Sequence, residues 1–394
     1  MTATKVKGAE RQRKVIVYRK EILRAGETFI RAQVRSYQRW RVVLFGERIW
    51  PGGLSLEGIE SRTLLASRPN LAERVFAKAW QTAGVAPASV MRKFEAEGAD
   101  LLHAHFGQDG VLAWPYAYKL NVPLVVTLHG HDVNVRPAAY RAGEYGFWQK
   151  RYPDQFVVLA RQRNVHFIAV SNAIRQAAID YGVPKDRIVV CYTGVDTQRF
   201  YPGPKPIAER PHRIVFIGHL VEMKGCACLI EAFQEIVRCI PRAELVFIGD
   251  GPLKGSLEGL ARKLDVRVQF LGAVPHDALR QHLNEARVFC LPSITTSNGY
   301  FEAFGMVLLE AQACGVPVVT SARGGREGVA EGVTGFTFPE RDVKTLVRRV
   351  CDILRNDELA ARLSGAGPEY VRQHFDIMRC TKRIEDFYDD ILSA

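Results

Sequence analysis

Short runs of apolar residues rich in Val, Ile and Phe recur along the chain and alternate with longer stretches of mixed polarity. In the longer stretches, such as 228–240 and 345–355, apolar residues return every three or four positions, which predicts amphipathic helices. The short runs predict buried strands, because they are rich in β-branched residues and bounded by turn-forming residues. Strands and helices in alternation predict an α/β fold, with parallel sheets covered by helices on both faces. The predicted strands are 14–18, 42–45, 101–106, 123–130, 166–170, 187–192, 213–218, 243–251, 266–272, 286–293 and 316–321.

The length and the proline pattern predict how the chain divides into domains. Its 394 residues suit two domains of about 200 residues each. Four prolines between positions 200 and 212 indicate an extended linker there. We therefore predict doubly wound domains over 1–200 and 201–370, and a C-terminal helix over 371–394 that packs back on the first domain. Two such domains would face each other across a cleft at the carboxyl ends of their strands.

Positive charge is concentrated in one half of the chain. The net charge is +12, with +13 in residues 1–200 and −1 in residues 201–394. A basic surface of this kind attracts nucleic acid, anionic lipid or phosphate-bearing substrates. Within 28–41, apolar residues recur at helical spacing with arginines on the other faces, which predicts a helix. This helix either faces the core or lies at an anionic membrane surface through Tyr37 and Trp40. Because these residues form no known reader motif, we predict no nucleic-acid partner.

The composition favours a globular protein of the cytoplasm. No apolar run reaches the roughly 18–20 residues of a membrane span, and residues 1–14 lack the apolar core of a secretory signal. The eight cysteines include no C-x-x-C pair, and most lie in apolar runs, as buried thiols of a reducing compartment do. We predict a cytoplasmic protein, which the basic half would allow to bind the inner face of the plasma membrane.

The segment 301–310 carries the most informative candidate chemistry. Glu302 follows a predicted strand and a polar loop, and Glu310 lies eight positions further on. If a helix begins near Gly305, Glu302 lies on the preceding loop, and both carboxylates can meet one extended ligand. The free amides at the start of that helix would then face an anion such as a diphosphate. The alternative is a pair of solvated glutamates on either side of a core helix.

The E-x7-E spacing of Glu302 and Glu310 resembles the signature of the family 4 retaining glycosyltransferases. Further segments resemble elements of that family in the same order along the chain. These are GETFI (26–30), HGHD (129–132), GVD (194–196), GHLVEMKG (218–225) and IGDGP (248–252). The first of them is similar to the corresponding turn of bacterial exopolysaccharide and colanic-acid-type members. The resemblance spans nearly the whole chain and implies a GT-B fold, with two Rossmann-like domains and a sugar nucleotide bound mainly by the second.

The resemblance also implies a role for each matching residue. Glu310 would bind the ribose hydroxyls, and Glu302 would orient the transferred sugar as a catalytic residue. Lys224, which is also catalytic, and His219 would contact the diphosphate, whose charge grows as the glycosidic bond breaks. The donor-binding set would be completed by the backbone at Ala273 and Val274, the amides of Phe304, Gly305, Met306 and Val307, and the turn formed by Gly26, Glu27 and Thr28.

In the first domain, the resemblance assigns the HGHD segment to the reaction. His129 would touch the donor sugar as a further catalytic residue, and Asp132 would lie on the acceptor side. We interpret His103, His105 and His131 as structural histidines, because a lone histidine is more often structural than functional. The H-x-H spacings of HAHF and HGHD could indicate zinc, but no third ligand is evident. No D-x-D motif appears near a strand end. We therefore expect no metal and no cofactor, with the nucleoside diphosphate sugar as co-substrate.

Two positions depart from the family pattern. His219 stands where the family has an arginine, so a permanent charge is replaced by a titratable one. Arg323 and Arg326 are candidates to compensate for it. The loop 324–328, GGREG, is one residue shorter than the usual G-G-I-P-E, which leaves the role of Glu327 open.

These features predict a retaining glycosyltransferase that moves a hexose from a nucleoside diphosphate sugar to a hydroxyl of a saccharide. The expected acceptor is a lipid-linked intermediate of a bacterial surface polysaccharide or exopolysaccharide, reached at an anionic membrane surface. Two other classes remain open. A GT-B sugar-nucleotide epimerase would act without an acceptor, and a non-enzymatic basic binding module would explain only the charge.

Overall fold

The computed structural model describes residues 11–65, 71, 75, 87–321 and 323–393. Contacts between residues divide the chain into two compact units. The first unit takes the described residues of Met1–Thr127, Arg161–His166 and Thr381–Ala394, and the second takes Leu128–Ala160 and Phe167–Cys380. The domains predicted over 1–200 and 201–370 and the C-terminal helix predicted over 371–394 have other bounds than these two units and stay a prediction.

The first unit is built on parallel strands. Its elements are β1 (Lys14–Tyr18), β2 (Glu21–Ile22), α1 (Thr28–Arg35), β3 (Arg41–Gly46), β4 (Arg48–Ile49), β5 (Ser61–Thr63), α2 (Ala88–Glu97), β6 (Leu101–His105), α3 (Gly107–Leu120) and β7 (Leu124–Leu128). The main strands lie in the order β5-β3-β1-β6-β7, all parallel, and β2 pairs with β4. Residues 15–17 of β1 are fully buried, as expected where helices cover both faces of a parallel sheet.

The predicted helix over 28–41 is too long, because α1 ends at Arg35. The backbone N–H groups of Gln38, Arg39 and Trp40 donate to one carboxylate oxygen of Glu385, at 3.1, 2.7 and 3.0 Å. Amides held by a side chain in this way do not continue a helix. Trp40 is 3% exposed, so its ring packs inside the first unit and is closed to a membrane surface.

The second unit contains a six-stranded parallel sheet together with a smaller α/β part. The smaller part comprises α4 (Pro137–Ala142), α5 (Tyr152–Ala160), β8 (Val165–Ala169), α6 (Asn172–Asp180) and β9 (Ile188–Val190), in which β8 and β9 are parallel. The larger part comprises β10 (Arg213–Ile217), α7 (Cys226–Cys239), β11 (Glu244–Ile248), α8 (Lys254–Lys263), β12 (Val268–Phe270), α9 (Leu279–Glu285), β13 (Val288–Leu291), α10 (Met306–Ala313), β14 (Val318–Ser321), β15 (Gly335–Phe338), α11 (Val343–Arg355) and α12 (Asp357–His374). The last helix is α13 (Ile377–Ser393).

The strand order of the larger sheet determines where a ligand can bind. The strands lie in the order β12-β11-β10-β13-β14-β15, so the chain leaves β10 on one side and returns at β13 on the other. In open α/β sheets, ligands bind at the carboxyl ends of the strands where the order reverses in this way. The loops that follow β10 and β13 carry 218–225 and 292–305, the segments singled out in the sequence.

The predicted α/β class is confirmed, and every predicted strand is present, some of them shorter by up to four residues. Among the described residues, no helix combines the length and the apolar character that crossing a bilayer requires.

Candidate active site

The loop after β10 brings Lys224 to the end of β13. Glu222–Lys224 form a 3₁₀ turn, and Gly225 follows with φ +64°. A Cβ atom on Gly225 would lie 1.9 Å from the carbonyl oxygen of Pro292, so only glycine allows the two backbones to approach this closely. The turn therefore places Lys224 beside the loop that begins at Pro292.

Lys224 and Glu302 form a partly buried ion pair. The Nζ of Lys224 donates to Oε2 of Glu302 at 2.5 Å, and the two side chains are 16% and 12% exposed. Ser293 Oγ donates to the same carboxylate oxygen at 3.3 Å. The structure thus brings together two residues that lie 78 positions apart in the chain. A cation held against a carboxylate at the end of a strand can serve both an anionic group and the hydroxyls of a sugar.

The helix α10 begins directly after this pair. Gly305 precedes it with φ +78°, and a Cβ atom there would lie 2.9 Å from Leu308 and 3.1 Å from Leu291. No side chain of the described residues caps this helix. The first four amides of a helix have no partner within it, and together with the helix dipole they favour an anion. The amides of Gly305, Met306 and Val307 lie at this helix start, and their contact with an anion, like that of the Phe304 amide, stays a prediction.

Glu310 lies inside α10 and is paired with a histidine that the sequence reasoning did not single out. The Nε2 of His276 donates to Oε1 of Glu310 at 2.8 Å, and Glu310 is 6% exposed. The other oxygen, Oε2, is buried and has no hydrogen-bond partner within the part of the chain that the structure describes. Ala273 and Val274 lie just before His276 in the loop after β12, at the same edge of the sheet.

The segment 301–303 is fixed from the smaller part of the second unit. Asn134 Nδ2 donates to the carbonyl of Phe301 at 2.9 Å, and Ser171 Oγ donates to that of Ala303 at 2.7 Å. Gly130, next to His129, has φ +122°, and a Cβ atom on it would lie 2.8 Å from the Cβ of Ala303. The loop that carries His129 therefore runs directly beside the loop that carries Glu302.

Two models of one enzyme family match consecutive stretches of the chain. The model described as Glycosyltransferase Family 4 matches residues 29–199, and the one described as Glycosyl transferases group 1 matches residues 197–370. The chain belongs to glycosyltransferase family 4. The resemblance seen in the sequence is thereby confirmed, and it covers both the HGHD segment and the E-x7-E segment.

Individual relatives support this membership. The amylovoran biosynthesis glycosyltransferase AmsK of Erwinia amylovora is 29% identical over 265 residues, covering 66% of this chain and 62% of the relative. The putative colanic acid biosynthesis glycosyltransferase WcaL of Escherichia coli is 29% identical over 270 residues, covering 66% and 64%. The chain thus spans less than two thirds of the length of these relatives. Among solved structures, Anabaena Alr3699/HepE in complex with UDP and glucose aligns with a TM-score of 0.75 at 22% identity, covering 96% of this chain and 99% of that one. This likeness identifies the fold as GT-B.

Asp132, which the family resemblance places on the acceptor side, is fully buried and shapes its own loop. Its carboxylate accepts the backbone N–H groups of His129 at 3.2 Å and Gly130 at 2.8 Å. This turn holds His129 in position at the end of β7. The structure therefore shows a positioning contact for Asp132, while its contact with an acceptor stays a prediction.

Glu327, whose role the sequence left open, holds the start of α6. Its carboxylate accepts the N–H of Asn172 at 2.8 Å and that of Ala173 at 3.0 Å. Tyr192 donates its hydroxyl to the same group at 3.2 Å. Burial, with the charge of Glu327, raises the pKa of Tyr192 to about 12. A carboxylate at a helix N-terminus is favoured by the dipole and by the free amides, so the shortened loop has a structural function.

His219 replaces the family's arginine, and Arg323 and Arg326 are the candidates to compensate for it. His219 is exposed in the loop after β10. Arg323 donates to Thr295 Oγ1 at 3.2 Å, and its guanidinium lies 4.3 Å from the centre of the Phe301 ring. Arg326 is exposed. Arg323 is thus bound to the loop that leads to Glu302, and compensation for the missing arginine stays a prediction.

In the first unit, the turn of Gly26, Glu27 and Thr28 is anchored by charge. Glu27 pairs with Arg19, which also pairs with Asp109, and all three side chains are at most 9% exposed. Thr28 begins α1 directly after Glu27. The turn is therefore held rigidly within its own unit, and its contact with a donor stays a prediction.

Of the histidines interpreted as structural, His103 and His105 are buried and His131 is partly buried. His103 Nε2 lies 2.6 Å from Thr127 Oγ1, and burial lowers the pKa of this histidine to about 3. His131 Nδ1 lies 3.2 Å from the hydroxyl of Tyr140, and burial lowers its pKa as well. The described part of the chain contains no group of three or more His, Cys, Asp or Glu residues arranged to hold a metal ion.

Proposed function

We propose that this chain is a retaining glycosyltransferase that moves a hexose from a nucleoside diphosphate sugar to a hydroxyl of a saccharide. The observation that carries the proposal is the Lys224–Glu302 pair at the start of α10, with Glu310 further along the same helix. A cation and open amides suit a diphosphate, and carboxylates suit the hydroxyls of ribose and hexose. All of these groups lie within the second unit.

The donor would bind along this edge of the sheet. Its diphosphate would meet Lys224, His219 and the amides of Phe304–Val307, its ribose would meet Glu310, and its base would meet the backbone at Ala273 and Val274. Solved structures of the fold relative Alr3699/HepE contain UDP, UDP with glucose, or UDP-glucose, which supports this class of donor.

The charges present would stabilise the leaving group without a metal ion. As the glycosidic bond breaks, negative charge grows on the diphosphate, and Lys224 and the N-terminus of α10 face that charge. Glu302 would hold hydroxyls of the hexose, and His129 would contact the sugar from the adjacent loop. The acceptor hydroxyl would attack from the face that the diphosphate leaves, and the departing diphosphate would take its proton.

The proposed acceptor is a lipid-linked saccharide of a bacterial surface polysaccharide or exopolysaccharide. The relatives AmsK and WcaL are named for amylovoran and colanic acid biosynthesis, which supports this class. The positive charge of residues 1–200 would favour the anionic inner face of the plasma membrane. Because Trp40 is buried, such contact would depend on basic side chains rather than on Trp40.

The test is a transfer assay with UDP- and GDP-sugars labelled in the hexose, with and without membrane-extracted saccharide lipids. We expect acceptor-dependent transfer with retained anomeric configuration. Lys224→Ala should lose most of it, while Lys263→Ala, an exposed lysine at the end of α8, should not. Conversion of the donor sugar without an acceptor would replace the proposal by an epimerase. No reaction with any donor, together with salt-dependent binding of arbitrary nucleic acid, would replace it by a basic binding module.

A further inference from the structure

His276 binds one carboxylate oxygen of Glu310, and the other oxygen is buried without a hydrogen-bond partner among the described residues. Its Nε2 donates to Oε1 of Glu310 at 2.8 Å, and the carboxylate is 6% exposed. Oε2 is buried, and no described residue donates to it. Buried oxygens of a carboxylate are nearly always hydrogen-bonded, because the cost of removing them from water is otherwise unmet. This oxygen therefore lacks a donor that a bound hydroxyl group would supply.

The imidazole of His276 is held in place from the segment that joins the two predicted domains. The ring of Phe200 meets it edge-on, with the centroids 5.3 Å apart, and Phe200 is 2% exposed. The next residue, Asp277, pairs with Arg199. The N–H of Phe200 donates in turn to the carbonyl of Asp196 at 2.9 Å. The buried ring of Phe200 thus packs against the imidazole, and the exposed Arg199–Asp277 pair is a further, weaker contact of the same turn.

We propose that His276 is a positioning residue that makes the donor site selective for ribose. By donating to Oε1, it fixes the rotation of the Glu310 carboxylate so that Oε2 accepts a hydroxyl of the ribose. The position of His276 in the chain fits this role, because Val274, proposed to meet the base, lies only two residues before it. The inference rests on the proposed function, since it presumes a nucleotide with its ribose at Glu310.

The test compares ribonucleotides with their deoxy analogues in the full chain. Binding of UDP, GDP and ADP is measured by calorimetry, and each is compared with its 2′-deoxy and 3′-deoxy form. In the wild type, we expect loss of the recognised hydroxyl to weaken binding about tenfold or more, the effect of one hydrogen bond to a charged group. In His276→Phe, which keeps an aromatic ring against Phe200, that ratio should fall towards one through weaker binding of the ribonucleotide.

Two further variants separate positioning from packing. His276→Gln retains an N–H donor and should restore much of the ribose preference, while His282→Phe, a histidine of α9, should leave it unchanged. In the transfer reaction, His276→Phe should raise the KM for the donor and leave kcat nearly constant.

Failure of the inference is distinct from failure of the proposed function. If the wild type prefers ribonucleotides and His276→Phe keeps that preference, or weakens ribo and deoxy forms equally, His276 only packs and the inference is wrong. If the wild type binds no ribonucleotide at all, the proposed function fails and the inference fails with it.

Discussion

Glu27 in the first unit and Glu310 in the second are both buried glutamates of segments that resemble family motifs, yet their carboxylates differ. Both oxygens of Glu27 are engaged inside its unit. Oε1 pairs with Arg19, and Oε2 accepts the N–H of Arg24 at 3.2 Å. Glu310 has one oxygen bound to His276 and the other without a partner among the described residues. A fully engaged carboxylate stabilises its own fold, whereas one with a free oxygen still has capacity to bind a ligand.

This difference predicts that mutations in the two regions change different properties of the protein. Substitutions around Glu27 should act on the free energy of unfolding, and substitutions around Glu302 and Glu310 should act on binding and turnover.

The largest effect is expected from Arg19→Met. This change leaves the buried carboxylates of Glu27 and Asp109 without their cation, which costs about 3–5 kcal/mol when one partner of a buried pair is removed. Urea unfolding monitored by tryptophan fluorescence measures it. The matched control is Arg41→Met, which removes an exposed pair with Glu60 and should cost less than about 1 kcal/mol. Equal effects of the two variants would contradict the assignment of Glu27 to the structure.

The next largest effect is expected from Glu302→Gln on turnover. Removing the charge that is proposed to orient the transferred sugar should lower kcat about 100-fold, within the range for a group that acts in the transition state. Binding of the nucleoside diphosphate should hold or tighten, because Lys224 would then be released from its carboxylate partner. Steady-state kinetics of donor consumption measure the change, with Glu235→Gln on the exposed face of α7 as control. A kcat near that of the wild type would refute the role of Glu302.

A smaller effect is expected from Glu327→Gln. Although Glu327 lies in the second unit, its carboxylate is engaged by the N–H groups at the start of α6, as Glu27 is engaged by Arg19. Loss of the charge should destabilise the chain by about 1 kcal/mol, the usual contribution of a helix cap. Thermal unfolding measures it. An unchanged unfolding temperature would show that the amides of α6 find another acceptor at no cost.

The smallest effect is expected from His219→Arg. A permanent charge in place of the imidazole should tighten binding of a nucleoside diphosphate at pH 8 several-fold. Calorimetry of the wild type and of His219→Arg at pH 8 measures it. Unchanged or weaker binding at pH 8 would exclude His219 from the diphosphate site.

Local sequence patterns predicted the strands and helices, whereas contacts between residues far apart in the chain decided where α1 ends. Apolar runs predicted β10 and β13, and Gly305 predicted the start of α10. Each of these signals lies within a few residues. The end of α1 at Arg35 depends on Glu385, about 350 positions away, and no local signal reports it. The helix predicted over 28–41 is therefore too long at its C-terminal end.

The same reason explains what was missed at the site. Lys224, Glu302 and Glu310 are named by family motifs, but His276 lies in none of them and meets Glu310 only through the fold. Its one local signal is its position directly after Pro275, in the turn that follows Ala273 and Val274. Glu27 shows the reverse case, since Arg19 lies eight residues before it in the chain and could have indicated an ion pair.

The central claim is that Lys224 and the start of α10 bind the diphosphate of a nucleotide, and calorimetry of Lys224→Ala tests it most directly. Wild type, Lys224→Ala and Lys263→Ala are titrated with UDP, GDP and ADP and with the corresponding nucleosides. The account predicts that Lys224→Ala loses at least about tenfold in affinity for the nucleoside diphosphate that binds the wild type, as expected for a charge-assisted contact, with the nucleoside unaffected. Binding of that diphosphate by Lys224→Ala as tightly as by the wild type would contradict it.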